Sequence, residues 1–149
     1  MASTDAISAV DYKIEISTDG TSFTDISGYA NEVSISGGER ENSEVYVLGD
    51  DSAAILIGHR SPVEITISVL YTEGDSDPMK TLWDAYCNKT TYYVRIAPKG
   101  GESGEFLFTS NEGFFTAVNA PPGADPSSAD PLLVEATFRC GKLDRSTAT

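Results

Sequence analysis

Residues 62–73 read PVEITISVLYTE, the cleanest strand pattern in the chain. Val63, Ile65, Ile67, Val69 and Tyr71 alternate with Glu64, Thr66 and Ser68, the period-two pattern of a strand with one buried and one polar face. Pro62 suits the first position, where no ladder donor is lost. Residues 132–140 repeat the pattern. Leu132, Val134, Ala136, Phe138 and Cys140 share one face, opposite Leu133, Glu135, Thr137 and Arg139.

Other strands are weaker copies of this theme. In VDYKIEIS, residues 10–17, Val10, Tyr12, Ile14 and Ile16 form the apolar face. Asp19-Gly20 predicts a hairpin turn, since glycine accepts the positive φ of a primed turn. A short return strand follows with Phe23 and Ile26, and EVSIS at 32–36 points Val33 and Ile35 inward. Further strands are expected at Thr91–Ala97, Glu105–Thr109 and Phe114–Val118, with a turn at Pro98-Lys99-Gly100-Gly101 and a loop rich in Pro, Ser and Asp over 119–131. The polar tail over 141–149 is expected to be loose.

A single helix is predicted over 77–88. Asp77 caps it, Pro78 stands where no N–H is needed, and Met79, Leu82, Trp83 and Tyr86 fall at i, i+3, i+4 and i+7. That stripe is expected to pack on a sheet as core. The fold class is therefore mainly β: an antiparallel sandwich or barrel-like pair of sheets, five or so strands, one flanking helix, then four more strands. One domain over 1–149 is the simplest organisation, with an N-terminal arm at 1–9.

GGERENSEVYVLGDD, residues 37–51, fits none of these elements. Charges crowd its first half, Val45-Tyr46-Val47-Leu48 make an apolar centre, and glycines stand at both ends. An unstructured loop longer than about 12–15 residues is uncommon in a compact domain unless it functions or is disordered. The ordered division of this one fits a hairpin-like arm that waits for a neighbour.

Composition narrows the function. The formal charge is −13, from 23 acidic and 10 basic residues, and there is no basic stripe to neutralise a phosphate backbone. Acidity of this kind serves solubility, or lets a surface pass close to an anion without holding it. The start, MASTDAISAV, lacks a basic region followed by a continuous apolar one, so no signal peptide is expected. No apolar run approaches the roughly 18 residues of a membrane span, and no membrane partner is expected. Cys87 and Cys140 could pair, but two buried free thiols are the expectation for an intracellular chain.

Catalysis and cofactors find little support. His59 is the only histidine, which excludes His clusters within one chain, and no G-x-S-x-G motif is present. Gly37-Gly38 and Gly100-Gly101 lack the context of a phosphate-binding loop. Asp50-Asp51 and Asp75 with Asp77 lack the spacing of a calcium loop. No enzyme activity, cofactor or metal is expected. The polar strand positions are more informative: Glu32, Ser34, Glu64, Thr66, Ser68, Glu135 and Thr137 are short or acidic, and Arg139 is the only base among them. They make either a solvated face or the lining of an acidic channel.

The ordered set STDGTSFTDISGYANEVSISGGERENSEVYVLGDD (17–51), PVEITISVLYTEGDSDPMKTLWDAY (62–86), YYVRIAPKGG (92–101), GEFLFTS (104–110) and DPLLVEATF (130–138) resembles the tail tube proteins of bacteriophages with long non-contractile tails. The resemblance implies hexameric rings that stack into a hollow tube, located in the virion tail and assembled in the host cytoplasm. It implies partnership with other copies of the chain and with terminator, tape-measure and tail-tip proteins, while genomic DNA passes through the lumen without specific binding. The segment 37–54 would be the inter-ring loop, with Arg40, Glu41, Glu44, Val45, Tyr46, Val47, Leu48, Asp50 and Asp51 at the contact. The polar strand positions above would face the lumen. An extra C-terminal immunoglobulin-like domain, seen in some relatives, is not expected. Four strands from each of six subunits, spaced about 4.8 Å apart and tilted about 40°, would close a sheet of roughly 48 Å backbone diameter. Removing about 10 Å for inward side chains leaves roughly 38 Å, enough for a duplex. Two other readings stay open. One is the tube of a contractile tail or secretion-type injection machine; the other is a carbohydrate-binding sandwich, suggested by STDGTSFT.

Overall fold

The computed structural model describes residues 6–149; residues 1–5 of the expected N-terminal arm lie outside the described residues. Eleven strands and one helix follow in order: β1 Lys13–Ser17, β2 Thr24–Asp25, β3 Ala30–Gly37, β4 Arg40–Val45, β5 Ala54–Arg60, β6 Val63–Leu70, α1 Pro78–Asn88, β7 Thr91–Ala97, β8 Phe106–Ser110, β9 Gly113–Val118, β10 Leu133–Cys140 and β11 Leu143–Thr147.

All pairings are antiparallel. One sheet runs β2-β1-β7-β8-β11 and the other β3-β6-β10-β9, with β7 also joined to β9 at Thr91 and Tyr92. A separate hairpin, β4-β5, stands apart from both. The second sheet is built on the two strands with the strongest alternation. Val63, Ile65, Ile67 and Val69 of β6 and Val134, Ala136, Phe138 and Cys140 of β10 are all buried. They meet Ile14 and Ile16 of β1, Val94 and Ile96 of β7, Phe115 of β9 and Leu82 of α1 in one core. Phe138 is fully buried against Phe115, ring centroids 5.1 Å apart.

The helix has the expected limits, but its buried face is rotated. Pro78, Leu82 and Ala85 are buried, Met79 is partly buried, and Trp83 and Tyr86 are exposed, contrary to the expected core stripe. The small Ala85 lets α1 lie close on β9, turning the two rings outward, where they tilt against each other at 5.6 Å. Asp77 holds the N-cap position without capping a helix N–H; its Oδ2 accepts from the Gly74 N–H at 3.1 Å.

Several edges also differ from expectation. Val10 lies in a short 3-10 turn, Ala9–Asp11, and is 89% exposed rather than inward on β1. Ile35 is exposed because β3 is an edge strand with nothing packed over that end. Tyr71 and Leu132 lie just outside their strands, and Leu132 is exposed. The link from β1 to β2 is a six-residue loop, 18–23, rather than a two-residue turn. The Asp19 carboxylate organises it by accepting from the N–H groups of Thr21 and Ser22, both at 2.9 Å. Those bonds hold the Asp19 carboxyl well below its ordinary range. The tail expected to be loose forms β11, because the edge of β8 offers it a full ladder despite its polar sequence. Cys140 is buried and Cys87 exposed, both free, so the expectation of two buried thiols fails for Cys87.

Candidate functional site: a polar sheet face and a projecting hairpin

The second sheet gathers every polar strand residue singled out above. Its register sets Glu32 (β3), Ser68 (β6) and Glu135 (β10) in one row across the strands. Ser34, Thr66 and Thr137 form the next row. The third holds Ser36, Glu64 and Arg139, adding a serine that the alternation of EVSIS also placed on this side. Successive rows lie two residues, about 7 Å, apart along the strands. The face thus carries three carboxylates and one guanidinium, a net of −2 per chain. None of the four charged residues forms an ion pair with another described residue. Glu32, Ser34, Glu135 and Arg139 are exposed, while Ser68 in the middle is nearly buried by its neighbours. On β9 the face continues with exposed Phe114, Thr116 and Ala117.

The stretch expected as a loop over 37–54 is the front half of the β4-β5 hairpin. Its second strand, β5, begins at Ala54, the last residue of the expected loop, and carries the apolar Ile55, Leu56 and Ile57 on to Arg60. Gly37, Gly38 and Gly49 all have positive φ. At Gly37 the requirement is strict, since a Cβ there would collide with the Pro62 carbonyl. The root is tied by Gly38 N–H to Pro62 O at 3.2 Å and Ser61 N–H to Glu39 O at 2.6 Å. A further tie is the Arg60–Asp144 ion pair at 3.3 Å, with Lys142 on the same carboxylate at 3.0 Å. The hydrogen bond from Lys142, then that from Arg60, lowers the Asp144 carboxyl below its ordinary value.

Beyond its root the hairpin touches nothing that could cover it. The register pairs Asn42 with Ile57, Ser43 with Leu56, Glu44 with Ile55 and Val45 with Ala54. Ile55 and Ile57 therefore project on one side and Leu56 and Val45 on the other, all exposed, with Ile57 at 70%. Tyr46, Val47 and Leu48 form an exposed apolar tip, followed by Asp50 and Asp51 in the turn. Arg40 donates to the Gly58 carbonyl at 3.1 Å, and Glu41 packs beside Gly58. An isolated two-stranded hairpin is marginal in water. Its aliphatic residues stand exposed on both faces. Ile55, Leu56 and Ile57 extend this exposed apolar surface beyond the residues named in the sequence reading; their signal was an apolar run facing the polar RENSE.

Among the described residues no group of three or more His, Cys, Asp or Glu side chains is set to hold a metal ion, and no helix is long and apolar enough to cross a membrane. His59 is exposed on β5.

The sequence matches no protein-family model and no curated protein. The fold, in contrast, is shared along nearly the whole chain with solved structures. A chain of the SPP1 tail tube superposes with a TM-score of 0.70 at 14% identity, over 95% of this chain and 80% of that one. A chain from the tail of the empty gene transfer agent particle, solved with C6 symmetry, gives 0.69 at 13% identity, over 97% and 100%. A chain of the sheath–tube complex of the extracellular contractile injection system PVC gives 0.68 at 16% identity, over 97% and 93%. At these identities the likeness establishes architecture: a mainly β, antiparallel chain with one helix and a tail-tube-like fold.

Proposed function

We propose that this chain is a structural, non-enzymatic subunit that assembles with copies of itself into the hollow tube of a phage-like tail. The observation that supports this most is the likeness of nearly the full chain to chains of tail and tube assemblies, one of them a sixfold structure. The two surface features above fit the same reading. The β3-β6-β10-β9 sheet contributes the inner wall, its rows of Glu32, Ser34, Glu64, Thr66, Ser68, Glu135, Thr137 and Arg139 facing the lumen. An acidic, base-poor lining repels phosphate, so a duplex slides instead of exchanging counterions for contacts at each step. The hairpin provides the inter-ring contact. Terminator, tape-measure and tail-tip proteins would complete the assembly; a tube-terminating cap and a baseplate occur in the anti-feeding prophage structures that share this fold.

We favour a long non-contractile tail, which the resemblance in the sequence suggests. The second reading is the tube of a contractile machine, favoured by the match to the sheath–tube complex. Negative-stain microscopy and sedimentation of the concentrated protein test the shared claim. Hollow tubes or sixfold rings are expected; dispersed monomers at every concentration and salt would refute it. Isolation of native particles then separates the two readings by whether a sheath surrounds the tube.

A further inference from the structure

An open depression of about 510 Å³ lies between the starts of β3 and β10, the end of β6 and the segment that follows β9. Its polar lining is Asn31, Glu32, Ser68, Asn119 and Glu135. We propose that it binds a divalent metal cation of the calcium type, held by the carboxylates of Glu32 and Glu135 over the Ser68 hydroxyl. The site belongs to the single chain, so the inference goes beyond the tube reading and does not depend on it.

The strand register brings these groups together. Glu32, Ser68 and Glu135 stand in one row across β3, β6 and β10, which sets the glutamates two strand spacings, about 10 Å, apart. Serine is the shortest of the three and leaves a hollow over which both carboxylates can lean. The ladder skips Asn31 between the Ala30–Val69 and Glu32–Ser68 pairs, and this bulge sets Asn31 beside Glu32 along the depression. From the other side the Asn119 N–H donates to the Glu135 carbonyl at 2.9 Å, which fixes Asn119 at the rim.

Two observations point to a cation. Ser68 is only 8% exposed, and its hydroxyl has no hydrogen-bond partner among the described residues. It is not sealed away, as the unpartnered Thr72 hydroxyl is, so its lone pairs open into the depression. The second observation is uncompensated charge. Neither glutamate forms an ion pair with another described residue. Arg139, the base on this face, lies four residues along β10 from Glu135, about 14 Å away. The groups offer oxygen ligands: two carboxylates, a hydroxyl and the amides of Asn31 and Asn119. That suits calcium, which accepts about six to eight oxygens in flexible geometry and takes the remainder from water. The two carboxylates fall short of a cluster of three acidic side chains. Their partners come from positions 31 to 135, so no calcium-loop spacing marks the site in the sequence. A bound divalent ion brings this sheet face from −2 to neutral.

The test titrates calcium chloride into the whole, unassembled chain by calorimetry, in about 0.15 M salt to screen the diffuse pull of its −13 charge. One ion per chain is expected, with a dissociation constant of about 10⁻⁴–10⁻³ M, the weak end of calcium sites. Calcium should also raise the unfolding midpoint, since the ion binds the folded chain. Glu32→Gln and Glu135→Gln change exposed side chains, so both should fold as the wild type does and bind at least tenfold more weakly. Ser68→Ala should weaken binding several-fold. Asp84→Asn, which removes an equal charge from the exposed side of α1, should bind as the wild type does. Three results would each overturn the site: no saturable binding by the wild type, an equal loss from Asp84→Asn and Glu32→Gln, or unchanged affinity in Ser68→Ala. All are read on single chains, so they leave the tube reading untouched.

Discussion

Replacing Ile57 by serine separates assembly from folding. Ile57 is 70% exposed in the single chain and pairs with Asn42 across the hairpin, well away from the core. Full burial of an isoleucine is worth about 1.5–3 kcal/mol, and the exposed portion leaves roughly 1–2 kcal/mol to be gained on association. At about 1.4 kcal/mol per tenfold, Ile57→Ser should raise the critical concentration for tube formation by about 5–30-fold. Stability of the unassembled chain should change by no more than about 0.5 kcal/mol, as for other exposed positions. Pelleting across a concentration series reads the first quantity, and urea unfolding below the critical concentration reads the second. Assembly at the wild-type concentration would refute the argument that the hairpin's aliphatic face is an interface. So would a loss of folding stability typical of a core residue, because the exposure would then have been misjudged.

Phe138→Ala should behave in the opposite way: a fully buried ring packed on Phe115 costs about 3–5 kcal/mol when truncated, measured as a lower urea midpoint before any assembly. Acidification should destabilise the fold through its low-titrating aspartates. The folded-state value of Asp19 lies below the unfolded value of about 3.9, so its contribution is complete above that value and fades as pH falls through the folded one. Asp19→Asn should therefore flatten the fall in unfolding midpoint below about pH 4, and an unchanged slope would contradict the loop's hydrogen bonding. Glu32→Lys with Glu135→Lys should permit rings and tubes yet slow DNA release from particles carrying them; unchanged ejection kinetics would place that face away from the DNA.

The legible parts of this fold are those with one dry face. β6 and β10 lie in the middle of a sheet covered on one side, so burial imposes period two on PVEITISVL and LLVEATFRC, and their polar faces could be named residue by residue. The hairpin was harder to read because neither of its faces is buried in one chain. With Ile55 and Ile57 on one side and Leu56 on the other, no alternation marks the strand, and only the apolar run itself remains as a signal. β11 is similar, since LDRST is held by the backbone ladder to β8 and by Asp144, with no apolar period. In α1 the spacing of Met79, Leu82, Trp83 and Tyr86 identified a helix correctly, but the choice of inward face went to the smaller Ala85 and Pro78, which allow close approach to β9. Val10 and Ile35 misled for a further reason: apolar residues at an edge can belong to an interface that one chain does not contain.

Cryo-EM reconstruction of tubes grown from the purified chain decides whether copies of it build a stacked-ring tube. Sixfold rings around a bore of roughly 38 Å are expected, with Glu32, Ser68 and Glu135 on its wall and the β4-β5 hairpin crossing to the next ring. A chain that stays monomeric, or a tube whose bore is lined by α1 and the exposed Trp83 and Tyr86, would contradict it.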